Sequence, residues 1–222
     1  PGVRIVLELG GNAGVIVHND ADLDAAVNAI CRGGYAHAGQ TCISIQRIYV
    51  QNLVYEKFIE KLESAVKSLK FGDPLDEQTD VGPLIDHKAV RKVSEWLKEA
   101  VNKGAKIITG GKSHSHNFIE PTVLIDAKAD MSVVCKEIFG PVVSVLKYEN
   151  LDQAIESMND TRYGLQASVF TSNIDNAHFI PGYKNGITGV ARSMPTSQAA
   201  DLVAKALKIN SYQTSHRLEV FW

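Results

Sequence analysis

Cysteine is scarce in this chain: Cys31, Cys42 and Cys135 make an odd count in 222 residues, with no CxxC pair among them. That argues against a disulfide framework and against a zinc ribbon. Charge of one sign is also lacking. The formal net charge is −2, and basic residues such as Lys98, Lys103 and Lys112 are scattered without forming a stripe, so neither nucleic acid nor an anionic membrane is an expected partner. No apolar run is long enough to span a bilayer. The opening PGVRIVLELGG has none of the charged start, apolar centre and small-residue cleavage site of a signal peptide, so a cytoplasmic setting is expected. Also missing are internal repeats, low-complexity tracts and a GxGxxG turn. What is present is apolar material for a real core, 45% of residues.

Helical and strand patterns alternate along the chain. Arg4 to Leu9 reads as a buried strand ending at Gly10-Gly11, and Gly14 to Val17 as a second. Asn19 is placed to cap a helix carrying Leu23, Ala26, Val27 and Ile30, which Gly33-Gly34 should stop. Ile43 to Val50 has strand composition. A long amphipathic helix runs over Val54, Phe58, Leu62, Val66 and Leu69. Pro83 suits the first turn of a further helix, along Val90, Val93, Leu97 and Val101 to Gly104. Strands at 105–109, 122–125 and 142–146, a helix at 152–158 and a strand at 166–170 complete the pattern. It predicts an α/β fold whose largely parallel sheet is covered by helices. From about Ile180 the texture changes to a Gly-rich turn, a polar ARSMPTS stretch and a helix at 199–207, with apolar Phe221 and Trp222 at the end.

Cys42 stands apart from the other thiols. Cys31 follows Ile30 in a helix pattern, and Cys135 sits in the apolar run Val133-Val134-Cys135; both read as small core residues. Cys42 instead follows Gly39, Gln40 and Thr41 in a turn between a helix and a strand, where backbone N–H groups can face a thiolate. His37, five residues before it, leaves open a thiol hydrolase needing no cofactor, and a non-catalytic assembly module is a third reading. His114 and His116 form an HSH pair without a carboxylate or thiol partner in sequence, so no metal site is expected.

LELGG at 7–11, GQTC at 39–42 and EIFGPV at 137–142 occur in this order, with thirty-four residues from Glu8 to Cys42. Together with FGDPLDEQTDVGPLI at 71–85, NFIEPTVL at 117–124 and QASVFTSN at 166–173, they resemble the aldehyde dehydrogenase superfamily. The resemblance implies an aldehyde dehydrogenase catalytic-domain-like fold over residues 1–172, oxidising an aldehyde to a carboxylic acid with NAD or NADP. It implies that Cys42 is the nucleophile and Glu8 the base that hydrolyses the thioester. Leu9 and Gly10 would approach the cofactor, Glu137 would hold its nicotinamide ribose, and Phe139 would pack beside the ring. Homo-oligomer formation is a family property as well.

The family's cofactor domain and the asparagine oxyanion donor precede the LELGG segment. Nothing in this sequence replaces them, so little or no turnover is expected from the chain alone. Residues 173–222 depart from the family pattern. TGVARSMPTSQAADLVAKALKINSYQT at 188–214 resembles the sugar-binding domain of phosphoglucomutase-type phosphohexomutases, without the mutase's phosphoserine, metal or glutamate-rich sugar loops. A fused or foreign segment joined between Thr171 and Ile180 is the expectation.

Overall fold

The computed structural model describes residues 9–173 and the backbone of 187–191. Glu8, most of the expected strand at 4–9, the helix at 199–207 and the terminal Phe221 and Trp222 lie outside the described residues. The described strands are β1 (Ala13–Val17), β2 (Ile45–Gln51), β3 (Lys106–Thr109), β4 (Thr122–Ile125), β5 (Val142–Tyr148), β6 (Gln166–Phe170) and β7 (Ile187–Ala191). They form one sheet in the order β3-β4-β5-β2-β1-β6-β7. All pairings are parallel except β3 with β4 at one edge. The helices are α1 (Leu23–Tyr35), α2 (Tyr55–Ser68), α3 (His87–Asn102), α4 (Ser132–Cys135) and α5 (Leu151–Asn159).

Burial on both faces explains why β1, AGVIV, is apolar throughout. Val15 and Val17 point into the larger core with α1, α2 and α3, whereas Ile16 points the other way, toward Tyr49, Tyr148 and Met158 of α5. In α2, Tyr55, Phe58, Leu62 and Val66 are the buried positions, one stripe at helical spacing. Sheet and helices thus match the expected α/β class.

Local differences have local causes. Asp22, not Asn19, caps α1, its carboxylate accepting from the Asp24 and Ala25 N–H groups. The helix also runs through Gly33-Gly34 to Tyr35. These glycines allow close approach: a Cβ at Gly33 would come within 2.6 Å of Ile45 Cδ1, and one at Gly34 within 2.9 Å of Val143 Cγ1. Pro83 does not open α3, which begins after Asp86, whose side chain accepts from Ala89 N. The short α4 and the strand β7 have no clear sequence pattern.

Candidate active site

Cys42 lies just before β2, Gly10-Gly11 just before β1, and Glu137 and Phe139 just before β5. Since β5, β2 and β1 are neighbouring parallel strands, these segments gather at the amino-terminal edge of the sheet. The turn leading to Cys42 is unusual: His37, Ala38 and Gly39 have φ of 51°, 56° and 70°. For non-glycine residues the left-handed region costs about 1–2 kcal/mol each, so packing must hold the turn. Ala38 and Gly39 are buried, and a Cβ on Gly39 would overlap the Gly140 carbonyl. Cys42 itself is half-buried. Among the described residues nothing accepts a hydrogen bond from its N–H.

The glycine pair reaches both other parts of the site. A Cβ on Gly11 would overlap the Cys42 carbonyl, and one on Gly10 would overlap the Glu137 carboxylate. The Gly11 N–H donates to Glu137 Oε1 at 2.9 Å. Glu137 is fixed from behind as its own N–H donates to the Tyr163 hydroxyl at 3.4 Å. Lys92 of α3 faces this group. Partial burial holds its ammonium below the usual lysine range, opposed by the negative fields of Glu137 and Tyr163. Phe139 adopts φ of 50° and stays 36% exposed. With His37, Gln40, Thr41, Pro83, Leu84 and Ile85 it lines an open hollow of about 710 Å³.

The structure therefore brings Leu9, Gly10, Glu137 and the backbone of Cys42 into one region, with Leu9 itself exposed. Phe139 joins them through the hollow it shares with Thr41. Glu8 adjoins this region in sequence but lies outside the described residues. His37 is exposed on the rim. Away from the site, His114 pairs with Glu120 at 2.9 Å, and no cluster of three or more His, Cys, Asp or Glu suited to a metal occurs among the described residues. Burial pushes the Cys31 thiol up to about 11, as for a core cysteine.

Two side chains that tie the segments of this region together receive no such part in the sequence reading. Arg47 is only 1% exposed, yet its guanidinium meets no carboxylate among the described residues. It donates to the carbonyls of Asn12 at 2.8 Å, Met158 at 3.1 Å and Ser157 at 3.4 Å, and to the Tyr49 hydroxyl at 3.1 Å. The carboxyl end of α5, with its partial negative charge, supplies two of these acceptors. Arg47 thus ties the strand after Cys42 to the residue after Gly11. An arginine within the apolar strand pattern of Ile43 to Val50 is the available signal. Gln40 is the other, its carboxamide spanning from the cysteine turn to the segment before α3.

Comparison with known proteins matches residues 2–199 to the family described as "Aldehyde dehydrogenase family". The chain belongs to the aldehyde dehydrogenase family. The match continues past residue 188, into the segment for which a phosphohexomutase-like character is expected from the sequence. Among aldehyde dehydrogenase relatives, 3-sulfolactaldehyde dehydrogenase of Priestia aryabhattai is 45% identical over 78% of this chain and 36% of its own length. The NADP(+) succinate-semialdehyde dehydrogenase of Escherichia coli (strain K12) is 40% identical over 89% of this chain and 42% of its own. An aldehyde dehydrogenase structure from Brucella melitensis biovar abortus 2308 superposes with a TM-score of 0.81 at 42% identity, covering 85% of this chain and 39% of that one. A betaine aldehyde dehydrogenase structure from Staphylococcus aureus in complex with NAD+ gives a TM-score of 0.80 at 37% identity, covering 85% and 39%. The chain therefore spans about two fifths of the length of these relatives.

Proposed function

We propose that residues 1–172 form the catalytic domain of an NAD- or NADP-dependent aldehyde dehydrogenase, oxidising an aldehyde to a carboxylic acid, and that 173–222 form an atypical, fused C-terminal segment whose residues Ile187–Ala191 add β7 to the same sheet. The observation that carries this reading is the meeting of the Gly10-Gly11 turn with both the Cys42 carbonyl and the Glu137 carboxylate. It joins three motifs that lie far apart in sequence.

In this reading the Cys42 thiol gives its proton to solvent, the thiolate Sγ bonds to the aldehyde carbon, and the carbonyl π pair moves onto oxygen. The Cys42 N–H donates to that oxyanion. NAD or NADP, when bound, supplies the acceptor for the hydride that leaves this carbon. The carbon is then a thioester on Cys42. Glu8 takes a proton from water as the water attacks, and the carbon–sulfur bond breaks to release the acid and the thiolate. The residues present fit such a cofactor. The missing side chains at Gly10 and Gly11 let the Glu137 carboxylate and the Cys42 carbonyl sit against the turn, and the Glu137 carboxylate has acceptor sites left for ribose hydroxyls after taking the Gly11 N–H. Lys92 offsets its charge.

Homo-oligomerisation and a cytoplasmic setting belong to the same proposal. Among the described residues no helix is long and apolar enough to cross a membrane. The 188–214 segment is proposed as mutase-like in sequence only, with no mutase activity. A test needing no nucleotide is hydrolysis of para-nitrophenyl acetate by the full chain. Cys42→Ser should abolish it, and Glu8→Gln should keep the first acylation while losing turnover. Hydrolysis surviving Cys42→Ser would sink the reading.

A further inference from the structure

The left-handed stretch His37 to Gly39 leads directly into Gln40, two residues before the thiol. The Gln40 carboxamide makes three hydrogen bonds. Its Nε2 donates to the His37 carbonyl at 3.1 Å and to the Pro83 carbonyl at 3.2 Å, and its Oε1 accepts from the Ile85 N–H at 2.8 Å. The pattern has a direction: the amide nitrogen faces two carbonyls, and the amide oxygen faces an N–H. A reversed amide would set like against like, and an ionised carboxylate would have nothing to donate. The segment it grips ends at the Asp86 cap of α3. On its other side the turn is pinned where Gly39 meets the Gly140 carbonyl, next to Phe139.

We propose that Gln40 is the positioning residue of the thiol turn: by tying the strained turn to Pro83 and Ile85, its carboxamide holds Cys42 Sγ and N–H in the geometry that acylation requires. The proposal rests on Cys42 being the nucleophile. Attack on a carbonyl needs Sγ and the oxyanion donor placed together, whereas simple thiol exchange needs only access to sulfur. Losing the tie therefore affects the first far more than the second, which loss of folding would not do.

The test compares two rates at Cys42 in the full chain: acylation by para-nitrophenyl acetate, read as the nitrophenolate burst, and exchange with dipyridyl disulfide. Gln40→Met removes all three hydrogen bonds at similar volume. It should slow acylation about tenfold to a hundredfold at every pH, with exchange changed less than about threefold. Gln40→Glu should behave like Gln40→Met at about pH 8. Toward about pH 5 it should recover relative to the unsubstituted chain, because a carboxyl among carbonyls takes a proton readily and can donate again. Far-UV circular dichroism checks folding, and the Gln40→Met split decides the matter if Gln40→Glu does not fold. Equal losses of acylation and exchange, or acylation unchanged in both variants, would overturn the proposal. If Cys42 of the unsubstituted chain exchanges but does not acylate at all, the nucleophile reading fails and takes this inference with it.

Discussion

The Gly11 N–H and Glu137 Oε1 lie 2.9 Å apart although 126 residues separate them in sequence. This bond, with the contact of Gly11 on the Cys42 carbonyl, joins the LELGG, GQTC and EIFGPV segments at the amino-terminal ends of the interior strands β1, β2 and β5. The two glycines differ in what faces them, and the difference is measurable. Gly11 faces backbone, so Gly11→Ala forces the Cys42 peptide to move and should cost about 1–3 kcal/mol. Gly10 faces the end of a flexible side chain, so Gly10→Ala should cost less while displacing the Glu137 carboxylate. Urea denaturation of the two variants gives the comparison; a larger loss for Gly10→Ala would contradict it.

Arg47 holds the same region by tying the Asn12 carbonyl to the carboxyl end of α5. Removing it leaves the Asn12 and Met158 carbonyls without their charged donor, at about 1–3 kcal/mol for each buried acceptor, partly offset by no longer burying a charge. Arg47→Met should lose on the order of 2–4 kcal/mol. Arg47→Lys should recover little, since one ammonium cannot reproduce the planar fork whose Nη2 reaches the Asn12 and Met158 carbonyls while its Nη1 reaches the Tyr49 hydroxyl and the Ser157 carbonyl. Chemical denaturation reads both, and a fully stable Arg47→Lys would show that charge alone suffices.

Cys31 gives a pH prediction. Burial raises its folded-state thiol to about 11, from an ordinary value of 9.0. The group's contribution to stability is therefore fully present below about pH 9 and is lost as pH rises through about 11. In this window the unfolded chain binds fewer protons than the folded one. The urea midpoint should fall between these values, and Cys31→Ala should show a smaller fall. Identical pH slopes for the two proteins would rule this contribution out.

Much of this organisation is legible in the amino-acid sequence. Apolar runs and helical stripes mark the strands and helices because burial on both faces of a parallel sheet leaves a continuous signal, as in AGVIV of β1. The three motifs supply the residues that the structure brings together, Gly10, Gly11, Glu137 and the backbone of Cys42. Sequence does not show which glycines stop a helix and which let it pack closely. Gly33 and Gly34 do the latter because Ile45 and Val143, distant in sequence, press on them. Nor does it show that Pro83 stays out of α3 to meet Gln40, or that Arg47 within a strand is buried against carbonyls. Each of these depends on which segments fold together, and local pattern carries no such information.

The proposal that Cys42 is the reactive thiol of this chain is tested most directly by per-cysteine alkylation with iodoacetamide, followed by peptide mass spectrometry near neutral pH. Cys42 should be labelled at least about tenfold faster than Cys31, whose thiol burial holds protonated, and faster than Cys135. Equal labelling of the three thiols, or Cys42 labelled last, would contradict it.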